Sequence, residues 1–247
     1  MTLPSRLRFV LALTLIAFAL ASAASAAPPA AAPSAAAPSA TAPSAAKPDS
    51  VAASAPADTT HGAAAWKAFP GPDSTLVSKL RSGGYVLVFR HSITDWGQRD
   101  SDIENFEDRN QQRNLSKEGV DVATAIGKAI ASLKIPIGPV ITSPMWRCRD
   151  TGQLAFGKNE PNPDLFRRGA PSRAARLAML STAPEPGKNV VLVTHQDVLL
   201  PIVPGLHRDQ LKEADAFVVK PLGNGKFEVL AQVTPADWES MASSNKP

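Results

Sequence analysis

Residues 85–89, Tyr-Val-Leu-Val-Phe, form an unbroken apolar run that starts after Gly83-Gly84 and ends abruptly in Arg90-His91-Ser92. A run this short, rich in β-branched and aromatic side chains, predicts a strand buried on both faces. Such strands belong to parallel sheets covered by helices on each side. Ligand sites in those folds lie at the carboxyl ends of the strands, where Arg90 and His91 fall. An arginine and a histidine closing a strand are equally compatible with an ordinary polar surface, so the rest of the chain decides.

The same device recurs. Residues 139–143, Pro-Val-Ile-Thr-Ser, read as a second short strand stopped by Pro144, and residues 189–194 read as a third, ending in His195. Two separate buried strands therefore each deliver a histidine at the C-terminal end. Helical patterns alternate with them. Residues 73–80 predict a helix capped by Asp73 or Ser74. Ser116 is the natural N-cap of a second helix, with Glu118 in its first turn and Val120, Ala123, Ile126, Gly127, Ile130 and Leu133 at helical spacing. Further helices are predicted over 145–156, 172–180 and 197–203, and a short terminal one begins at Pro235. Residues 216–220 and 227–233 read as a hairpin turning at Gly223-Asn224-Gly225. The alternation predicts an α/β fold with a mostly parallel sheet. Between the first strand and the second helix, residues 92–113 are polar and charged without a period, and a long loop beside a strand end predicts a functional lid.

Composition divides the chain of 247 residues into three parts. Residues 1–26 carry Arg6 and Arg8, then an apolar run over 9–21, then Ala24-Ser25-Ala26. That order predicts a secretory signal peptide cleaved after Ala26, too short in its apolar part for a membrane span. Residues 27–65 are mostly Ala, Pro and Ser, with Ala-Ala-Pro-Ser recurring. With so few large apolar side chains, burial cannot offset the entropy of ordering them, and a disordered, extended linker is predicted. Residues 66–247 suffice for one well-cored domain. The protein is thus expected to be periplasmic or secreted, meeting a membrane only through its transient signal peptide. Net charge is +4, and +2 without Arg6 and Arg8. That mild bias, with no dense basic block, argues against a nucleic-acid partner. Cys148 is the only cysteine, so no intrachain disulfide forms, and a buried thiol is the expectation.

Arg90, His91, Arg147 and His195 converge on one sheet edge in this arrangement. Arg147 falls near the start of the helix after the second strand, whose N-terminus would add partial positive charge and free N–H groups. Two guanidiniums, two imidazoles and a helix N-terminus suit a dianion, phosphate above all. A neutral imidazole can attack phosphorus and form a phosphohistidine. Nearby arginines would hold its pKa down and bind the equatorial oxygens as the phosphoryl group transfers.

These residues resemble a known pattern. The chain is similar to the histidine phosphatase superfamily, the phosphoglycerate-mutase-like fold, in four motifs. They are Arg90-His91-Ser92, Leu115-Ser116-Lys117-Glu118-Gly119, the run from Ser143-Pro144 through Arg147 to Thr151, and the strand ending in His195. They occur in family order across roughly residues 84–200. The resemblance implies a three-layer α/β/α sandwich, His91 as the phosphorylated nucleophile, and Arg90, Arg147 and His195 as the phosphate pocket. It implies no metal and no cofactor.

The chain departs from the pattern at Ser92, where the family has glycine, which predicts a slightly altered pocket. The proton-donating glutamate of many members has no counterpart. Asp197 is the first candidate acid, with Asp95 and Asp215 behind it. A nucleophilic cysteine would need a Cys-x5-Arg loop, which is absent. The expected activity is an exported phosphomonoesterase acting on a small-molecule or glycan phosphomonoester. The alternative is a non-catalytic phosphate- or phosphoglycan-binding module, and a metal site on His91 and His195 is a poor third for want of further ligands. The loop 92–113 and the segment 160–173 are expected to set the substrate.

Overall fold

The structure, a computed structural model, describes residues 68–245. The expected signal peptide over 1–26 and the Ala/Pro/Ser-rich linker expected over 27–65 lie outside the described residues. The described elements run α1 (Leu76–Ser82), β1 (Val86–Arg90), α2 (Lys117–Ser132), β2 (Ile137–Thr142), α3 (Trp146–Phe156), β3 (Glu160–Pro161), α4 (Ala170–Ser181), β4 (Asn189–Thr194), α5 (Gln196–Leu199), β5 (Ala216–Gly223), β6 (Lys226–Val233) and α6 (Pro235–Ser244).

The six strands make one sheet in the order β3-β2-β4-β1-β5-β6. β3, β2, β4 and β1 pair in parallel, and β5 joins β1 antiparallel. The β5–β6 hairpin turns through Gly223, Asn224 and Gly225, all at positive φ, as such tight turns require. Alternation along each strand divides the core. Leu87, Phe89, Val191, Val193 and Val218 point to one face, against apolar residues of α1, α2, α3 and α6. Val86, Val88, Leu192, Phe217 and Val219 point to the other, against Leu180 of α4 and residues 199–211. Helices on both faces of a mostly parallel sheet give the expected three-layer α/β/α sandwich.

Ser116 caps α2 as expected, its hydroxyl accepting from Gly119 N–H at 3.0 Å. α6 carries a capping box between Thr234 and Asp237. Two helix expectations need correction. α1 starts at Leu76, because Asp73 turns its carboxylate onto Thr75 N–H and Oγ1 at 2.8 and 2.7 Å in a local turn instead of capping a helix from 73. α5 stops at Leu199 instead of running to 203. Pro201 has no N–H to continue it and its ring clashes with the preceding turn.

Candidate active site

The pairing of β1 with β4 is what builds the site. Arg90 lies opposite Thr194 in the parallel register, and His91 N–H donates to Thr194 O at 3.0 Å. The two strands therefore end together, and the His91 and His195 rings meet edge to face with centroids 5.2 Å apart. Both imidazoles are buried. With Arg90, Arg113, Arg147, Gln196, Asp197 and Arg208 they line a cavity of about 270 Å³. A larger cavity, about 530 Å³, lies between α2 and α6, but only Lys128 and Glu239 bring charge to its lining. Convergent chemistry, not volume, marks the site.

His91 Nδ1 lies 2.9 Å from Ser92 O. A carbonyl only accepts, so Nδ1 carries the proton and Nε2 keeps its lone pair. Burial pushes the His91 pKa well below the ordinary imidazole value, and the Arg147 charge adds to the effect. His195 is lowered in the same way, by burial first and then by Arg147. On its buried side, His195 Nε2 meets Ser143 Oγ at 2.8 Å, and Cys148 Sγ lies 3.5 Å from the same nitrogen. Cys148 is buried as expected, with its thiol pushed up to about 12 by burial. It packs beneath His195 and does not line the cavity.

Arg90 and Arg147 are each aimed by a carboxylate and a carbonyl, and Arg113 by an aromatic ring. Arg90 Nη1 donates to Leu211 O at 2.8 Å, and its Nη2 lies 3.6 Å from Glu213, which also accepts from Thr94 N–H and Oγ1. Arg147 Nη1 donates to Asp100 Oδ1 at 3.0 Å and to Arg113 O at 3.3 Å, leaving Nη2 without a partner among the described residues. Arg113 stacks its guanidinium 3.9 Å from the centre of the Trp96 ring, and makes no ion pair among the described residues. Its pKa is lowered by burial and then by Arg147. Four arginines line the cavity, Arg90, Arg113, Arg147 and Arg208, against the carboxylates of Asp197 and Asp209, and this positive balance suits an anion carrying two charges.

The structure brings together Arg90, His91, Arg147 and His195 as the sequence predicts, and corrects other expectations. The N-terminus of α3 does not offer its first amide to the cavity, because Trp146 N–H donates to Gln112 Oε1 at 2.9 Å. Ser92 does not intrude on the pocket. Its side chain is fully buried away from it, with the hydroxyl donating to Gly119 O at 2.7 Å and the amide donating to Thr151 Oγ1 at 3.0 Å. Of the candidate acids, Asp95 accepts from Gly97 N–H and Gln98 in its own turn, outside the cavity lining. Asp215 is buried against Lys212 N–H and Gln232, again outside the lining. Only Asp197 reaches the cavity, exposed at its rim and paired with Arg168 at 2.6 Å.

Arg113, Ser143 and Glu213 escaped the sequence reading as site residues. Arg113 reaches the site because a bridge between Thr94 and Leu115 folds the loop back beside the His91 strand end. The available signal was its position just before the Ser116 cap. Among the described residues no group of three or more His, Cys, Asp or Glu side chains is placed to hold a metal ion.

No protein-family model matches the chain, and no curated protein matches it. Its fold is similar to solved structures of histidine phosphatases. One is the protein histidine phosphatase SixA complexed with tungstate, with 18% identity, 62% of this chain and 98% of that one covered, and a TM-score of 0.46. A second is the putative phosphohistidine phosphatase SixA from Agrobacterium tumefaciens, with 19% identity, 62% and 99% covered, and a TM-score of 0.42. A third is a putative alpha-ribazole-5'-P phosphatase from Escherichia coli, with 11% identity, 62% and 98% covered, and a TM-score of 0.45.

Proposed function

We propose that the protein is an exported phosphomonoesterase that works through a phosphohistidine on His91. One observation carries the reading. His91 Nδ1 is tied to Ser92 O, so the unprotonated Nε2 is left for a cavity lined by Arg90, Arg113 and Arg147.

In the first step His91 Nε2 attacks phosphorus, and the bond from phosphorus to the ester oxygen breaks. Asp197, at the cavity rim, gives the leaving oxygen its proton from its acid form, released from its pair with Arg168, and is left as a carboxylate. The guanidiniums and His195 hold the phosphoryl oxygens during transfer. In the second step water attacks the phosphohistidine, Asp197 takes up the water's proton, and inorganic phosphate and neutral His91 are regenerated. His195, neutral for the same reason as His91, serves as a hydrogen-bonding partner and not as a cation.

The order of charged, apolar and small residues over 1–26, followed by the Ala/Pro/Ser-rich stretch, supports placing the enzyme in the periplasm or outside the cell. The substrate is a small phosphomonoester. A binding module without catalysis would follow from Ser92 and from the missing glutamate together; the Ser92 hydroxyl is occupied by Gly119 O outside the cavity, and Asp197 brings a carboxyl group to its rim. The test is a panel of phosphomonoesters with the full chain and its His91→Ala variant. Turnover lost in the variant supports the reading, and an inactive wild-type chain that still binds phosphate overturns it.

A further inference from the structure

Beside the phosphate cavity lies a second hollow of about 430 Å³ that the proposed chemistry does not use. The two share one residue, Asp197, which lines both. In a phosphomonoester the ester oxygen separates the phosphoryl group from the rest of the molecule. With phosphorus beside His91, whatever the oxygen carries can enter the second hollow past Asp197.

The wall of that hollow is aromatic. Phe106 from the long loop packs edge to face on Phe166 from the segment after β3, with centroids 5.4 Å apart. Phe166 in turn lies edge to face on His195 at 5.5 Å. Ile103 adds an aliphatic side chain that is 43% exposed. A row of apolar side chains left open to water next to a charged cavity gains by covering itself with an apolar partner. The charges around it balance. Arg167 and Arg168 stand against Glu104 and Asp197, and Arg168 is already paired with Asp197. A second phosphate would find no net positive field there, in contrast to the cavity beside His91. The wall itself rests on His195, so an occupant there would be held against the side chain that faces the transferring phosphoryl group.

We infer that this hollow is the leaving-group subsite and that it selects phosphomonoesters of neutral, ring-bearing alcohols over acyclic ones. The inference rests on the phosphatase reading for its chemistry but makes a separate prediction about binding. Benzyl phosphate and propyl phosphate are suitable probes, because both release alcohols of similar acidity and differ mainly in the ring. The full chain is expected to show kcat/KM about tenfold higher for benzyl phosphate, as ring contacts of this kind contribute. Phe106→Ala should bring that ratio towards one, and Ile103→Ser should lower it in part. A ratio unchanged in both variants overturns the subsite. Calorimetric binding of benzylphosphonate against propylphosphonate reads the same preference without turnover. A ring preference in binding that Phe106→Ala removes, in a chain that hydrolyses neither ester, keeps the subsite and refutes the phosphatase. Equal binding of the two phosphonates refutes the subsite even in an active enzyme.

Discussion

Replacing Ser92 by glycine restores the residue found in the family that the sequence resembles, yet the structure predicts a less stable and no more active protein. Ser92 has no positive φ that would call for glycine. Its hydroxyl donates to Gly119 O, which joins the strand end to the first turn of α2. Losing that buried hydrogen bond costs about 1 kcal/mol. Glycine also loses more backbone entropy on folding, about 0.5–1 kcal/mol. Together the change costs about 2 kcal/mol, which lowers Tm by about 4–8 °C in a domain of this size. The carbonyl that fixes His91 Nδ1 is retained, and no atom lining the cavity is removed. Thermal unfolding and kcat/KM on a generic aryl phosphate measure both effects. A Tm lowered by several degrees with kcat/KM within about threefold is the expected result. A variant as stable as the parent and tenfold more active would refute the argument, because it would mean that the serine side chain constrains the pocket.

Other perturbations follow from the same geometry. A Cβ at Gly119 would lie 1.9 Å from Ile93 O, and Gly119→Ala is expected to cost at least about 3 kcal/mol, measured by urea unfolding. Stability should also fall with acid. His91 and His195 stay neutral in the fold below the pH at which they protonate in the unfolded chain, so the unfolded state binds more protons there. Each buried histidine then removes up to about 1.4 kcal/mol per pH unit as pH falls below about 6.5, until its own lowered pKa is reached. Urea midpoints between pH 7.5 and 5 check this, and the slope should shrink in His195→Gln. Asp100→Asn removes the carboxylate that holds Arg147 and is expected to raise KM for phosphate esters several-fold, with Arg147→Ala the larger loss. Cys148, buried with its thiol pushed up to about 12, should resist iodoacetamide in the native protein and label fully in denaturant.

What the sequence made legible was what backbone periodicity controls. The buried runs at β1 and β4 were readable because a strand covered on both faces must be continuously apolar, and the two histidines followed as the residues that end them. The α2 cap was readable because Ser116 uses its own hydroxyl on an amide three residues ahead. Arg113 and Glu213 were not, since each reaches the site through a chain reversal. Arg113 depends on the Thr94–Leu115 bridge, and Glu213 on a segment returning from α5 to β5 so that it meets Arg90 and Thr94. Ser143 was read as a motif residue, but its bond to His195 needs β2 and β4 to be neighbours. Strand order is a tertiary fact, and neither propensity nor spacing encodes it. The long loop and the segment after β3 were expected to set the substrate, and they supply Phe106 and Phe166 to one wall.

In the proposed reaction His91 takes the phosphoryl group. Rapid quenching of the full chain during turnover of a radiolabelled phosphomonoester, followed by peptide mapping under alkaline conditions, tests it directly. An acid-labile, base-stable phosphoryl group on His91, absent from His91→Ala, is the expected result. A turning-over enzyme with no label on His91, or with the label on another residue, would contradict it.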